Sequence, residues 1–364
     1  MAKKIFVAAT GQNTGKTTTS LSLLHLARKK YGRIGFIKPI GPKVIELYGL
    51  RVDKDPALMS QVYGLEEKLA LMSPVVLGSG TTKKVLRGEI NPQELEDKVL
   101  SAVAALEREC DLLVIEGAGH SGVGSVIGLS NARIARLVDA PVMLITGGGI
   151  GNVVDAVAMN LALYRQEGAE IRLIVSNKII PEKREETLRY LKLAFEPMGL
   201  TLLGGFNYQP ILANPTLRRI SKILELPIQG SAVEDMRIVN HVQIGAPSTQ
   251  RVVDLLQEST LLLVTSSRDE LLVTLANLYT MPEYKSKIAG LIIPGVAPVS
   301  RITQQILDRS AIPYMRTTRT TADLFLTIND DVSKLSAEDT QKIALIQELA
   351  EKRFDFEEVD RLFS

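Results

Sequence analysis

The stretch "AATGQNTGKTTTS", residues 8–20, combines glycines, a lysine and hydroxyl side chains in the manner of a phosphate-binding loop. The common spacing places four residues between a first glycine and Gly-Lys-Ser/Thr, which would put that glycine at position 10. Thr10 stands there instead, and the glycine follows one residue later as Gly11. The stretch is therefore a working variant, a decayed site or a turn that only resembles one.

The flanking sequence favours a working loop. "KIFVAAT" (4–10) is typical of a buried strand, and "GKTTTSLSLLHLARKKYG" (15–32) predicts a helix. A strand that turns tightly into a helix directs backbone N–H groups and the helix N-terminus at an anion. Lys16 is then expected to reach the outer phosphates, and the Thr17 hydroxyl to bind Mg²⁺. The predicted nucleotide contacts in the loop are Gly11, Gln12, Asn13, Thr14, Gly15, Lys16, Thr17 and Thr18.

Composition excludes several classes of protein. The 43 basic and 41 acidic residues among 364 leave no basic excess for binding nucleic acid. A single cysteine, Cys110, excludes an internal disulfide framework. No apolar run is long enough to span a membrane, and the short run near the start is too brief for a signal peptide. We expect a cytoplasmic protein that binds neither nucleic acid nor membrane.

Apolar runs alternate with helical patterns through the first two hundred residues. Further strands are predicted at 33–40, 111–117, 140–146, 169–178 and 201–206, and further helices at 91–109, 130–139, 152–168 and 181–199. The helix at 91–109 has Asn91 as its N-cap and Pro92 in its first turn. Uniformly apolar strands that alternate with helices predict an α/β fold, a parallel sheet flanked by helices.

The alternation restarts in the second half of the chain. Short strands are predicted at 260–266, 288–295 and 311–317, and a helical tail capped by Ser336 at 336–363. We predict a nucleotide-binding domain at 1–213, a linker helix at 214–234 and a smaller α/β domain with a C-terminal helix at 235–364.

A second motif, "DLLVIEGAGH" (111–120), supports the nucleotide site. An apolar strand delivers Glu116 to its carboxyl end, where ligands bind in open parallel sheets. A carboxylate there can hold Mg²⁺ directly or through water.

Taken in order, "ATGQNTGKTT", "GFIKPIG" and "VIEGAG" resemble the dethiobiotin synthetase family of P-loop enzymes. Together with "TGGGIGNVVDAVAMNLALYRQEGAEIRLIVSNKI" and "LKLAFEPMGLTLLGGFNYQPILANPTL", they are more similar still to the N-terminal region of long bacterial phosphate acetyltransferases, over residues 1–220. Residues 230–350 more weakly resemble the DRTGG domain of those proteins, because "TSSRDE" (265–270) keeps only Arg268-Asp269. The resemblance implies a P-loop parallel sheet followed by a smaller, DRTGG-like α/β domain.

The resemblance also implies roles for individual residues. The acetyltransferase-type loop has the same displaced glycine, which implies a working site for ATP and Mg²⁺. Lys38 in "FIKPIG" is implied to face substrate and phosphate as a catalytic partner of Lys16. Asp55 is implied to share the metal with Thr17 and Glu116, and Asp53 is its rival.

Base recognition and function follow from the same resemblance. Asn177 is implied to bind the adenine edge, although "SNKI" (176–179) half-resembles a guanine-reading motif and leaves GTP open. We expect a nucleotide-dependent regulatory or sensing protein with weak or no ATPase activity. The alternative is an ATP-dependent carboxylate–amine ligase similar to dethiobiotin or cobyrinic acid a,c-diamide synthetase.

Further expectations concern activity and partners. The loop is two residues shorter than in dethiobiotin synthetases, which favours the regulatory function over the ligase. Nothing resembling an acetyl-transferring domain follows the second domain, so we expect no phosphate acetyltransferase activity. The resemblance also implies an unidentified small-molecule ligand and a homo-oligomer.

Overall fold

A computed structural model describes residues 2–230, 234–330 and 335–364. The chain divides into two compact units, one formed by residues 1–209 with 335–364 and the other by residues 210–334. The strands are β1 (Lys3–Ala9), β2 (Ile34–Ile37), β3 (Ile40–Gly41), β4 (Val44–Leu47), β5 (Leu50–Asp53), β6 (Val75–Val76), β7 (Leu112–Glu116), β8 (Val142–Thr146), β9 (Ile171–Ser176), β10 (Thr201–Gly204), β11 (His241–Ile244), β12 (Thr260–Leu263), β13 (Ile288–Pro294) and β14 (Tyr314–Thr317).

Helices connect most of these strands. They are α1 (Lys16–Lys30), α2 (Lys54–Tyr63), α3 (Leu69–Met72), α4 (Thr81–Leu86), α5 (Pro92–Glu109), α6 (Asn131–Leu137), α7 (Gly151–Glu167), α8 (Arg184–Phe195), α9 (Pro210–Ala213), α10 (Leu217–Leu224), α11 (Thr249–Asp254), α12 (Asp269–Tyr279), α13 (Pro282–Lys285), α14 (Arg301–Ser310), α15 (Thr321–Asp330), α16 (Thr340–Arg353) and α17 (Phe356–Leu362). Within the described ranges, no helix is both long and apolar enough to cross a membrane.

The first unit is built on a six-stranded parallel sheet in the order β10-β9-β8-β1-β7-β2. Apart from the edge strand β10, its strands are apolar and largely buried because helices cover the sheet, as the uniform apolar runs predicted. The α/β fold class is therefore confirmed. In the register of β1 with β7, Val7 pairs with Glu116, so the residues after both strands emerge at the same edge.

Local signals predicted some boundaries well and missed others. The Asn91 side chain accepts a hydrogen bond from the N–H of Gln93, which confirms the predicted cap of α5. The strand predicted at 33–40 instead divides into β2 and β3, and β3 pairs with β6 in a separate small sheet. The antiparallel pair β4 and β5 was not predicted, and it precedes α2.

The C-terminal tail differs from its prediction in two ways. It forms two helices, and Ser336 does not cap the first, because its N–H and hydroxyl both donate to the Asp339 carboxylate. Both helices also belong to the first unit, whereas the predicted boundary placed them with the second. The reason is packing, because α16 lies against α1. Glu351 of α16 also pairs with Lys29 of α1 at the surface.

The second unit carries a four-stranded parallel sheet in the order β11-β12-β13-β14. Two apolar clusters cover its faces, one from α11, α12 and α14 and the other from α10 and α15. The linker helix predicted at 214–234 is shorter, since α10 ends at Leu224, and it belongs to this unit. Residues 231–233 of that prediction lie outside the described residues.

Candidate functional site

The loop after β1 turns into α1 through two residues in the left-handed region. Asn13 has φ 58°, and Gly15, which precedes the first helical residue, has φ 103°. A Cβ at Gly15 would lie 2.2 Å from Asn177 Nδ2, so only glycine fits there. Among the described residues, the N–H groups of Gly15, Thr17 and Thr18 donate to no protein acceptor. The first turn of α1 contains no acidic residue, which leaves this helix end suited to an anion.

Lys16 is the first residue of α1 and its side chain reaches the loop that follows β7. Its Nζ donates to the carbonyl oxygen of Gly119 at 2.6 Å. This contact holds the ammonium at the carboxyl edge of the sheet, beside the orphan N–H groups of the loop. An anion bound at the helix N-terminus would compete with Gly119 for this donor.

The next residue, Thr17, brings the three predicted metal ligands together. The Thr17 hydroxyl lies 3.1 Å from Glu116 Oε1 and 3.4 Å from Asp55 Oδ1. Glu116 ends β7 and is 1% exposed, and Asp55 lies buried in the first turn of α2. Burial, and then the Asp55 carboxylate, raise the pKa of Glu116 to about 7, although Lys38 opposes this. The sequence-predicted trio is thus brought together.

Lys38 lies on the other side of the same carboxylates. Its Nζ donates to Asp53 Oδ1 at 3.0 Å and also to Asp55 Oδ2, and the residue is 3% exposed. Burial alone would lower the pKa of this ammonium, but Asp55, Glu116 and Asp53 outweigh burial and raise it. Lys38 is therefore a fixed buried cation that neutralises the carboxylate cluster.

The geometry separates Asp53 from its rival Asp55. Asp53 caps α2: its Oδ1 accepts from the N–H of Asp55 at 3.0 Å, and its Oδ2 accepts from the N–H of Lys43 at 2.8 Å. Because its oxygens already serve these donors and Lys38, Asp53 acts as a structural acceptor. Asp55, not Asp53, contacts Thr17.

Asn177 follows β9 and lies behind the loop. Its Nδ2 donates to the carbonyl oxygen of Thr14 at 3.1 Å, and its Oδ1 accepts from the N–H of Phe206 at 2.9 Å. The amide thus links the phosphate loop to the segment after β10. One N–H and one lone pair of the amide remain for any further contact.

The site offers few oxygen ligands for a metal ion such as Mg²⁺. In the described part of the chain, no group of three or more His, Cys, Asp or Glu residues forms a candidate metal cluster. The site offers a smaller set, the Thr17 hydroxyl with the Asp55 and Glu116 carboxylates. Mg²⁺ takes one or two carboxylates and completes its shell with phosphate oxygens and water, so these residues fit the ion when a nucleotide accompanies it.

Sequence reasoning missed the groups that hold the loop at 117–124. The Asn131 amide bonds to the main chain of Ala118 and His120, and the Ser121 hydroxyl donates to the Asn160 side chain. All of these side chains except His120 are buried. An asparagine at the start of a predicted helix is read as part of its cap, so no local signal identified Asn131.

Comparison with known families decides where this chain belongs. A family model, AAA_26, described as an AAA domain, matches residues 3–216, which is more than half of the chain. The chain belongs to this AAA_26 family. The match begins in β1 and spans the phosphate loop, β7 and the Asn177 region, so the whole site described above lies within it.

Relatives of this AAA_26 protein include a phosphate acetyltransferase and a dethiobiotin synthetase. The phosphate acetyltransferase of Synechocystis sp. is 22% identical over 306 residues, covering 80% of this chain and 42% of that protein. The ATP-dependent dethiobiotin synthetase BioD of Clostridium kluyveri is 26% identical over 186 residues, covering 49% of this chain and 75% of that protein. The chain therefore spans less than half of the acetyltransferase. It contains a P-loop NTPase-like domain related to both proteins.

A solved structure with a similar arrangement is the septum site-determining protein MinD of Pyrococcus horikoshii, in complex with Mg-ADP. It is 16% identical, with a TM-score of 0.34, covering 58% of this chain and 84% of that one.

Proposed function

We propose that this AAA_26 protein binds MgATP at the N-terminus of α1 and acts as a nucleotide-dependent regulatory or sensing protein with weak or no ATPase activity. One observation carries the proposal: the Thr17 hydroxyl, Glu116 and Asp55 meet within 3.4 Å, directly after a loop with orphan N–H groups and Lys16. A cation site beside an anion site is what a metal–nucleotide complex requires.

Each residue has a distinct role in this proposal. The N–H groups of Gly15, Thr17 and Thr18 would bind phosphate oxygens, and Lys16 would leave the Gly119 carbonyl to neutralise the outer phosphates. Thr17, Asp55 and Glu116 would hold Mg²⁺, which when bound neutralises charge on the phosphates. Asn177 would keep the loop in register through Thr14 and has one N–H left for an adenine edge.

Weak turnover follows from the position of Lys38. A lysine that stabilises a transferring phosphoryl group must reach it, but here the ammonium is buried between Asp53 and Asp55. Removing it from two carboxylates is costly, because each carboxylate would lose its charge partner in a dry environment. Lys38 is thus better suited to holding the site together than to moving with a substrate.

A ligase remains the second candidate. It is supported by the likeness to the ATP-dependent dethiobiotin synthetase, which covers 49% of this chain. In such a reaction a carboxylate or carbamate would attack the γ-phosphate and displace ADP, and an amine would then capture the mixed anhydride and release phosphate. Lys38 would then have to face the acid substrate.

We also propose properties beyond the first unit. The likeness to the phosphate acetyltransferase covers more residues than the first unit contains, and the second unit is accordingly proposed to be DRTGG-like and to bind a small molecule. A homo-oligomer is proposed by analogy with P-loop relatives. Light scattering after size exclusion tests this, and a monomer at micromolar concentration would contradict it.

Thermal unfolding with ATP, GTP and ADP, each with Mg²⁺, tests nucleotide binding. A ligand at one hundred times its dissociation constant adds about 2.7 kcal/mol, which corresponds to about 5 °C or more for a unit of this size. We expect this shift with MgATP and its loss in Lys16→Ala. No shift with any nucleotide would refute the proposal.

Phosphate release separates the two candidate functions. A sensor should release phosphate slowly whatever acid and amine are added. A ligase should turn over only when both are present, and saturable turnover with a defined pair would replace the regulatory proposal.

A further inference from the structure

The loop at 117–124 joins Glu116 to the rest of the site through its main chain. Its second residue, Ala118, lies two positions after Glu116, and the carbonyl of its third residue, Gly119, accepts the Lys16 ammonium at 2.6 Å. The path of this loop therefore governs a metal ligand and the phosphate lysine at once. Contacts that fix the main chain at 117–124 therefore control how well Glu116 and Lys16 are aligned.

The Asn131 side chain makes three hydrogen bonds to the main chain of this loop. Its Nδ2 donates to the carbonyl oxygens of Ala118 at 2.6 Å and His120 at 2.7 Å, and its Oδ1 accepts from the N–H of Ala118 at 3.0 Å. The residue is 1% exposed. Two donated bonds and one accepted bond need an amide, because a carboxylate donates nothing and a hydroxyl donates once.

The position of Asn131 in α6 argues against a capping role. Ser130 precedes it and already caps the helix, since the Ser130 hydroxyl accepts from the N–H of Arg133 at 3.1 Å. The Asn131 amide is turned away from the helix end and towards the loop. All three hydrogen bonds of this buried amide are therefore made to residues 118 and 120, beside the nucleotide site.

A second hydrogen-bonded contact holds a different part of the loop. The Ser121 hydroxyl donates to Asn160 of α7, whose own amide donates to the carbonyl of Ala156. This anchor fixes the far part of the loop. Asn131 instead holds Ala118, which lies between Glu116 and Gly119.

We infer that Asn131 is a positioning residue for the nucleotide site, which rests on the proposed function. It fixes the main chain at Ala118 so that the Glu116 carboxylate stays at Thr17 and, before nucleotide binds, the Gly119 carbonyl stays at Lys16. Loosening this segment should weaken the contribution of Mg²⁺ to nucleotide affinity more than it weakens the binding of ATP itself. If Asn131 had a purely structural role, its substitution would lower stability without changing the ratio of the affinities for MgATP and for ATP.

The test uses Asn131→Ser, which cannot reach the three loop groups, and Asn131→Asp, which keeps size and one acceptor but loses both donors. Should one variant fail to fold, the other carries the test. Ser130→Ala is the matched control, because it removes the cap of the same helix and leaves the amide in place. Hydrogen exchange on peptides covering 117–124 is measured without nucleotide, and calorimetry then measures affinity for MgATP and for ATP in EDTA.

The expected result is an exchange rate at least tenfold faster for the loop in Asn131→Ser, and unchanged in Ser130→Ala. Affinity for MgATP should fall at least tenfold in both Asn131 variants while affinity for ATP in EDTA changes less than threefold. Unchanged loop exchange in Asn131→Ser, or an equal loss of both affinities, would overturn the inference. If the unsubstituted chain binds no nucleotide, the proposed function fails, and the exchange data alone still decide whether Asn131 fixes the loop.

Discussion

The carboxyl edges of the two parallel sheets use the same architecture for different chemistry. At the edge of the first sheet, polar side chains from α1, β7 and α2 converge, and the Thr17 hydroxyl lies within 3.4 Å of the Glu116 and Asp55 carboxylates. At the edge of the second, Arg268 donates to the carbonyl oxygens of Gly245, Ala246 and Pro247 at 2.9–3.2 Å and pairs with Glu270. Because the Arg268 guanidinium donates to the carbonyls of the loop that follows β11, it stabilises that loop.

This difference shows that two sheets with the same architecture can present different side chains at their carboxyl edges, and that these side chains determine the chemistry. Both edges carry a basic residue and a glycine with positive φ, Gly15 at the first edge and Gly295 at the second. In the first, the glycine opens a 15-residue helix and the charges are buried together. In the second, the arginine satisfies main-chain acceptors. Substitutions at matched positions should therefore have different consequences.

The largest effect is expected from Lys38→Met. Removing this cation leaves Asp53, Asp55 and Glu116 buried without their shared positive charge, which costs about 3–5 kcal/mol. Urea unfolding followed by far-UV circular dichroism measures this loss. Lys84→Met, an exposed lysine on α4, makes the same chemical change and should alter stability by less than about 0.5 kcal/mol. Equal effects would mean that the cluster is not held by its charge.

The second prediction compares the two glycines. Gly15→Ala forces a Cβ to 2.2 Å from Asn177 Nδ2 at φ 103°, and Gly295→Ala forces one to 2.4 Å from Ser266 Oγ at φ 130°. Backbone strain of this kind costs about 1–3 kcal/mol at either position. Only Gly15→Ala should also abolish the thermal shift with MgATP, measured beside the unsubstituted chain. A lost shift in Gly295→Ala would contradict the assignment of the site to the first sheet.

The sequence predicted those parts of the site that depend on local chemistry. The phosphate loop, Lys16 and Thr17 follow from one strand–turn–helix segment, and Glu116 follows from an apolar strand that ends in a carboxylate. Their proximity follows from parallel pairing alone, since the carboxyl ends of neighbouring strands share an edge.

The remaining parts depend on packing between distant segments. Two aspartates two positions apart, Asp53 and Asp55, could not be told apart until the cap of α2 fixed one of them. Asn131 looks like any residue at the start of a helix. A helical tail was predicted where α16 and α17 lie, but its apolar residues could pack on any apolar face, so the sequence did not show that the tail returns to the first unit.

The third prediction concerns the arginine of the second edge. Arg268→Ala removes a donor to three carbonyls that water can partly replace, because the side chain is only partly buried, and we expect a loss of about 1 kcal/mol. The MgATP thermal shift should be unchanged. Arg268→Lys is the control and should recover little, since one ammonium does not reproduce the fork of the guanidinium. Loss of the nucleotide response in Arg268→Ala would show that the two edges do not act separately.

The smallest effect is expected at the surface pairs. Hydrogen bonds from Lys29 and His25 lower the pKa of Glu351 to about 2, so its stabilising contribution is present above the ordinary carboxyl pKa of 4.5 and is lost as pH falls towards 2. In Glu351→Gln the melting temperature should drop slightly at pH 6 and match the unsubstituted chain near pH 2. The difference should shrink in high salt because both groups are exposed.

Asp323→Asn in the second unit is the matched variant for that measurement. Arg319, just before α15, holds the pKa of Asp323 in the first turn of that helix below its ordinary value, and the two residues are four apart in sequence. Glu351, by contrast, pairs with a lysine 322 residues away. Solvent screening acts on both pairs alike, so both variants should lose a similarly small amount of stability. A much larger loss in Glu351→Gln would mean that the ion pair holds α16 on α1. An equal loss would assign the docking of α16 to its buried face, which includes Ile346 and Ala350.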